Sequence, residues 1–206
     1  MAKEIREEPR AVGDTLMGRL DANGDVNLSE FDGLSIENLE NINRIIITAC
    51  GTAAYAGEVA KYAIEQLARI PVSVELAHEL RYRNPVIDEK TLVVAISQSG
   101  ETMDTLMAIR HVSERGAKVL SICNTQGATL ARESDATIYT HAGPEVAVAS
   151  TNAFSAQITA GYLLALFLAH ATGKTENLNQ LGKELLRLPR KVKTTLEMTG
   201  DVAAFA

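Results

Sequence analysis

The stretch Ser97-Gln98-Ser99-Gly100-Glu101-Thr102-Met103-Asp104 collects three hydroxyls, an amide and a glycine where an apolar run ends and a helical pattern begins. The run before it, Leu92-Val93-Val94-Ala95-Ile96, reads as a strand buried on both faces. The pattern after it, from Thr102 to Glu114, reads as a helix. A helix N-terminus carries free N–H groups and a partial positive charge, and phosphate binds there readily. Gly100 allows close backbone approach, and Ser97, Ser99 and Thr102 have hydroxyls to donate. Such a turn can hold an anion without a cationic side chain. The plainer use of Ser and Thr at this place is helix capping. Three hydroxyls and a glycine at a strand's carboxyl end favour the ligand site, because open α/β sheets bind ligands there.

Two further turns share the design. Cys50-Gly51-Thr52 follows an apolar strand over 44–49 and opens a helix, and Ser150-Thr151 closes an irregular loop over 141–150 and opens a long apolar helix. None of the three turns contributes Lys or Arg. A strand order of 2-1-3-4-5 would set the first two turns against each other at the switch point of the sheet. G-x-G-x-x-G and the P-loop are absent, which disfavours a dinucleotide or nucleoside triphosphate site. Ser99 is not in a G-x-S-x-G elbow, which disfavours a serine hydrolase. His78, His111, His141 and His170 lie outside the three turns or near helix ends, and none is assigned to catalysis. Cys50 and Cys123 lack zinc-ligand spacing and read as reduced thiols of a cytoplasmic protein, so no metal is expected. Asp21-Ala22-Asn23-Gly24-Asp25 resembles the start of a calcium loop. Val26 stands where that loop needs Gly and Asp32 where it needs Glu, so it reads as a polar turn. Asn27-Leu28-Ser29 matches a glycosylation sequon with nothing else to indicate secretion.

The elements that must position these turns follow from the alternation of apolar runs and helical patterns. An N-terminal helix spans 3–20, with Ile5, Val12, Leu16 and Leu20 on one face and Pro9 and Gly13 against it; a short helix covers 34–42. Strands over 44–49, 72–76, 92–97, 118–123 and 136–140 alternate with helices ending near 68, over 78–82, 102–115 and 128–133, and starting at 151. A final amphipathic helix over 177–198 is kinked or split by Pro189. This predicts an α/β protein, a three-layer α-β-α sandwich around a five-stranded parallel sheet. At 206 residues the chain makes one large domain with an N-terminal helical arm over 1–42. A net charge of −6 argues against nucleic acid, which prefers a basic face. The longest apolar run, 162–169, is shorter than the about 20 residues a membrane span needs, so no membrane role is expected.

The phosphate-type turn, with Cys50-Gly51-Thr52 before it and Val148-Ala149-Ser150-Thr151 after it, resembles the sugar isomerase (SIS) domain family. Lys3-Glu4-Ile5, Glu79-Leu80-Arg81-Tyr82-Arg83, Ile122-Cys123-Asn124 and Arg132-Glu133-Ser134-Asp135 extend the likeness over nearly the whole chain. They make it most similar to the first SIS domain of the glutamine–fructose-6-phosphate aminotransferases. The resemblance implies a flavodoxin-like SIS fold without a cofactor. It implies fructose 6-phosphate or a related phosphosugar as ligand, and a homodimer. Ser97, Gln98, Ser99 and Thr102 would hold the phosphate; Thr52, Val148 and Ser150 would line the sugar chain. Ala53 stands where the family usually has Ser, and Asn152 where it usually has Lys.

For the full enzyme, the resemblance implies conversion of fructose 6-phosphate and glutamine into glucosamine 6-phosphate and glutamate. The ammonia-releasing domain would precede this chain. A second SIS domain, carrying the base, the ring-opening histidine and the Schiff-base lysine, would follow it. The apolar end 201–206 fits a cut chain. The expectation is a phosphosugar-binding piece with no catalytic residue of its own, inactive in isolation. A stand-alone sugar-phosphate sensor and another amino-sugar-phosphate isomerase or deaminase are the alternatives.

Overall fold

The computed structural model describes residues 1–27, 39, 41–147, 149–174 and 176–198. Most of the short helix expected over 34–42, two residues of the sequon and the apolar end lie outside the described residues. The helices are α1 (Ala2–Leu16), α2 (Thr52–Leu67), α3 (Ala77–Arg83), α4 (Met103–Ser113), α5 (Thr129–Glu133), α6 (Asn152–Ala171), α7 (Leu178–Leu186) and α8 (Leu188–Glu197). The strands are β1 (Arg44–Ala49), β2 (Val72–Leu76), β3 (Thr91–Ser97), β4 (Lys118–Cys123) and β5 (Ala136–Tyr139), all parallel, in the expected order β2-β1-β3-β4-β5.

Every residue of the central strand β3 is buried, which is why its sequence is a continuous apolar run and not an alternating one. Successive side chains still go to opposite faces. Ile45, Ile47, Leu92, Val94 and Ile96 pack with α2 and α6 on one side, and Ile46, Val93, Ala95 and Val119 with α3, α4 and α5 on the other. The result is the three-layer sandwich that the alternation of elements predicts.

α6 is the helix that closes the first layer. It is long and apolar enough, by length and composition alone, to cross a membrane, yet most of it is buried within the fold. The polar residues of its first turns made its apolar run look short. It is apolar on nearly every side because α1 and α2 both cover it. Gly161 permits the approach of α2: a Cβ there would lie 2.7 Å from the Cβ of Ala60.

α1 runs through Pro9 and stops at Leu16, four residues before the expected end, and Val12 and Leu16 join the main core. Leu20 instead forms an antiparallel bridge with Val26 around the polar turn. There Asp21 Oδ1 accepts the N–H groups of Asn23 (2.8 Å) and Asp25 (2.9 Å). The C-terminal helix is split at Arg187, and Pro189 sits in the first turn of α8, where a missing N–H leaves no helical bond unmade.

Candidate functional site

The sheet brings the three turns to one cleft of about 190 Å³ at the carboxyl ends of β1 and β3. Thr52, Ser97, Gln98, Ser99, Thr102 and Ser150, six of the seven residues singled out in the sequence, line it. The seventh, Val148, lies outside the described residues. Cys50, Ala53, Glu145 and Gln157 complete most of the wall. Two other hollows have less suitable chemistry. One of about 200 Å³ beside α1 has its charges paired along the helix, Lys3 with Glu7 and Arg10 with Asp14. One of about 410 Å³ among α2, α6, α7 and α8 is mainly apolar.

The β3–α4 turn is built around Gly100. Its φ is +67°, and a Cβ would fall 2.6 Å from Ala128 Cβ and 2.7 Å from Cys123 Sγ, so only glycine fits. The Gly100 carbonyl accepts Leu130 N–H at 3.0 Å, and the Gln98 carbonyl accepts Asn124 N–H at 3.2 Å. Glu101 turns away from the cleft and accepts Thr129 N–H at 2.7 Å, a bond that holds its carboxyl below the ordinary range. Inside the turn, Gly100 N–H donates to Ser97 Oγ (3.0 Å) and Glu101 N–H to Ser99 Oγ (3.2 Å). Ser97 Oγ and Thr102 Oγ1 are 3.2 Å apart. The serine oxygens thus accept bonds within the turn, a use the sequence did not disclose; one hydroxyl hydrogen is shared between Ser97 and Thr102, and the Ser99 hydroxyl donates to none of the described residues. Thr102 is the N-cap of α4 and makes no side-chain cap bond. Among the described residues no other side chain accepts a first-turn N–H of α4 either, where the helix opens on the cleft.

The third turn differs. Glu145 accepts Thr151 N–H (2.6 Å), Thr151 Oγ1–H (3.0 Å), Ala153 N–H (3.3 Å) and Ser150 Oγ–H (3.3 Å). The N-terminus of α6 is therefore already occupied by an internal carboxylate, whereas that of α4 is open. The loop is in turn fastened to α1. Glu4 accepts Val146 N–H (2.7 Å) and Ala147 N–H (3.0 Å), and it pairs with the amino group of Met1 at 2.9 Å. That amino group first, and then the two N–H groups, bring the Glu4 carboxyl down to about 2. Burial pushes the carboxyl of Glu8 up, and Glu145 adds to the shift.

Glu145 and Gln157 were not found from the sequence. Glu145 sits in an irregular loop, and Gln157 interrupts an apolar helix with no motif around it. Gln157 is 97% buried, and its Oε1 has no hydrogen-bond partner among the described residues. A buried amide oxygen left unmatched costs free energy, so this atom, on the wall of the cleft, fits a hydroxyl-bearing ligand. Asn152 Oδ1 is likewise buried without a partner at the start of α6.

Residues 38–167 match the SIS domain, a span that holds all five strands and most of α6. The chain belongs to the SIS domain family. Among curated relatives it is similar to the glutamine–fructose-6-phosphate aminotransferase (isomerizing) of Corynebacterium diphtheriae, with 59% identity over 98% of this chain and 32% of that protein. The corresponding enzyme of Mycobacterium tuberculosis is 52% identical over 100% of this chain and 33% of the enzyme. This SIS domain thus spans about a third of the length of the curated relatives it matches. Among solved structures it resembles the C-terminal domain of glucosamine-fructose-6-phosphate aminotransferase from Francisella tularensis. There the TM-score is 0.94 and the identity 38%, over 100% of this chain and 58% of that one. The likeness confirms the SIS fold.

Proposed function

We propose that this SIS domain holds a sugar phosphate of the fructose 6-phosphate class, with the phosphate at the N-terminus of α4 and the sugar chain across the cleft. The observation that carries this reading is the N-terminus of α4, uncapped by any side chain among the described residues and bordered by the hydroxyls of Ser97, Ser99 and Thr102. A phosphate there takes backbone N–H groups, hydroxyl hydrogens and the helix dipole, and needs no cation. Gln98 closes the phosphate end; Thr52, Ser150 and, by resemblance, Val148 line the sugar. Gln157 Oε1 gains a sugar hydroxyl as donor. The cap formed by Glu145 directs the anion to α4, because its carboxylate already fills the N-terminus of α6.

In this reading residues 1–206 form a single SIS domain with α1 as a clamping arm. The domain serves the phosphosugar side of glucosamine 6-phosphate formation from fructose 6-phosphate and glutamine, in the cytoplasm, as a homodimer. It supplies binding and no catalytic base, and without further chain it produces no glucosamine 6-phosphate. Calorimetric titration with fructose 6-phosphate tests the reading. A charge-assisted hydrogen bond contributes about 1.5–3 kcal/mol, so Thr102→Ala should weaken binding by roughly ten- to a hundredfold. Circular dichroism should show an unchanged fold. A folded Thr102→Ala protein that binds as tightly as wild type places the phosphate elsewhere.

A further inference from the structure

Cys50, His78 and Asp104 are widely separated in sequence, and parallel pairing brings them together. Cys50 follows the last residue of β1, His78 lies in the first turn of α3 directly after β2, and Asp104 lies in the first turn of α4 after β3. Ala49 at the end of β1 is in register with Leu76 of β2 and Ile96 of β3, so the three turns leave the sheet side by side. The thiol, imidazole and carboxylate ligand atoms all lie within 4.8 Å of one another.

We propose that Cys50, His78 and Asp104 bind a divalent transition-metal ion of the zinc class at the rim of the cleft. One sulfur, one nitrogen and one oxygen form a borderline-soft donor set; calcium and magnesium require oxygen shells. Zinc bonds of about 2.0–2.3 Å put tetrahedral ligands roughly 3.3–3.8 Å apart, so the cluster must contract by at most about 1–1.5 Å. The two exposed members can supply that movement: the His78 side chain is 48% exposed and Asp104 is exposed, while half-buried Cys50 is the fixed point. Glu79 Oε1 lies 3.8 Å from His78 Nε2, beyond hydrogen-bond distance, and is not counted in the site. Three protein ligands leave the fourth position of the ion open.

Binding is proton-linked and involves no redox step: Cys50 coordinates as thiolate and its proton passes to the buffer. The empty cluster carries the single negative charge of Asp104. The loaded one is neutral, with two positive charges on the ion against one each on thiolate and carboxylate. Because Cys50 lines the cleft and Asp104 lies in the turn that opens on it, the ion removes a negative charge from the edge of an anion site. The metal site itself stands apart from the sugar-phosphate reading.

Cobalt(II) is the probe, titrated into the reduced protein in a thiol-free reductant, with zinc then displacing it. Wild type should develop a thiolate-to-cobalt charge-transfer band, which zinc abolishes. Cys50→Ala should lose the band. His78→Ala and Asp104→Asn, both changes of exposed side chains, should each weaken zinc at least by the roughly tenfold that even an outer partner is worth. Zinc affinity is read by competition with a chromophoric chelator. Cys123→Ala removes the buried thiol and should leave the band in place. No band in wild type overturns the proposal. So does a band that survives in Cys50→Ala or disappears in folded Cys123→Ala, or zinc affinity unchanged in both His78→Ala and Asp104→Asn.

Discussion

Gly100→Ala separates two costs that the β3–α4 turn combines. The first is backbone conformation: an L-residue at φ +67° costs about 1–2 kcal/mol. The second is contact. The new Cβ would lie 2.6 Å from Ala128 Cβ and 2.7 Å from Cys123 Sγ, closer than real carbon contacts allow. Both neighbours are buried, Ala128 at 3% exposure and Cys123 at 0%, so neither can swing aside. Overpacking of this kind costs about 1–3 kcal/mol, giving a sum of roughly 2–5 kcal/mol. Gly116 is the internal control. It lies in the turn after α4 at φ +90°, donating its N–H to Ser113 O at 2.9 Å, while Ala117 N–H donates to Val112 O at 3.3 Å. A Cβ on Gly116 meets nothing within 4 Å, so Gly116→Ala should cost only the backbone share, about 1–2 kcal/mol. The chain has no tryptophan, so urea unfolding is best followed by far-ultraviolet circular dichroism. With a urea slope of about 2 kcal/mol per molar, Gly100→Ala should unfold roughly 0.5–1.5 M earlier than Gly116→Ala. Equal midpoints for the two variants would refute the close-contact argument for the turn.

The α2–α6 contact gives a compensation test: Gly161→Ala drives a Cβ to 2.7 Å from Ala60 Cβ and should lower stability by about 1–3 kcal/mol, and adding Ala60→Gly should recover part of it by opening the same space. A Gly161→Ala midpoint in urea matching wild type would count against that packing. The Glu4 clamp predicts an acid response. Its folded carboxyl titrates near 2, below its ordinary 4.5, so its stabilisation is complete above pH 4.5 and is lost as pH falls toward 2. Glu4→Gln should flatten that part of the stability profile. Superimposable acid profiles for wild type and Glu4→Gln would show that the carboxylate does not hold the 145–147 loop.

The local chemistry of the turns and the strands was legible in the sequence. β1 falls at its expected residues because a strand inside a parallel sheet is covered on both faces and so reads as a nearly unbroken apolar run, whereas the edge strand β2, Val72-Ser73-Val74-Glu75-Leu76, is legible from its alternation. The Ser97–Thr102 turn was legible for a related reason: a strand end, a glycine and a helix start lie within a few residues, and each has its own local preference. A kink or a split in the last helix was legible from Pro189, and the structure has the split, at Arg187.

What the turns do once together was decided by the tertiary structure. Ser97 and Ser99 look like donors in sequence, but the fold of the turn makes their oxygens accept Gly100 and Glu101 N–H. The open helix ends at Thr102 and Thr151 look equivalent until Glu145 fills one and leaves the other. Glu4 reaches Val146 and Ala147, and Cys50 meets His78 and Asp104, only because α1 lies along α6 and β2, β1 and β3 pair in that order. Propensity and hydrophobic period act over a few residues and are written in the chain. Which carboxylate reaches which N–H, and which turns share a rim, depends on pairings between segments far apart in sequence, and those positions exist only after the core has closed.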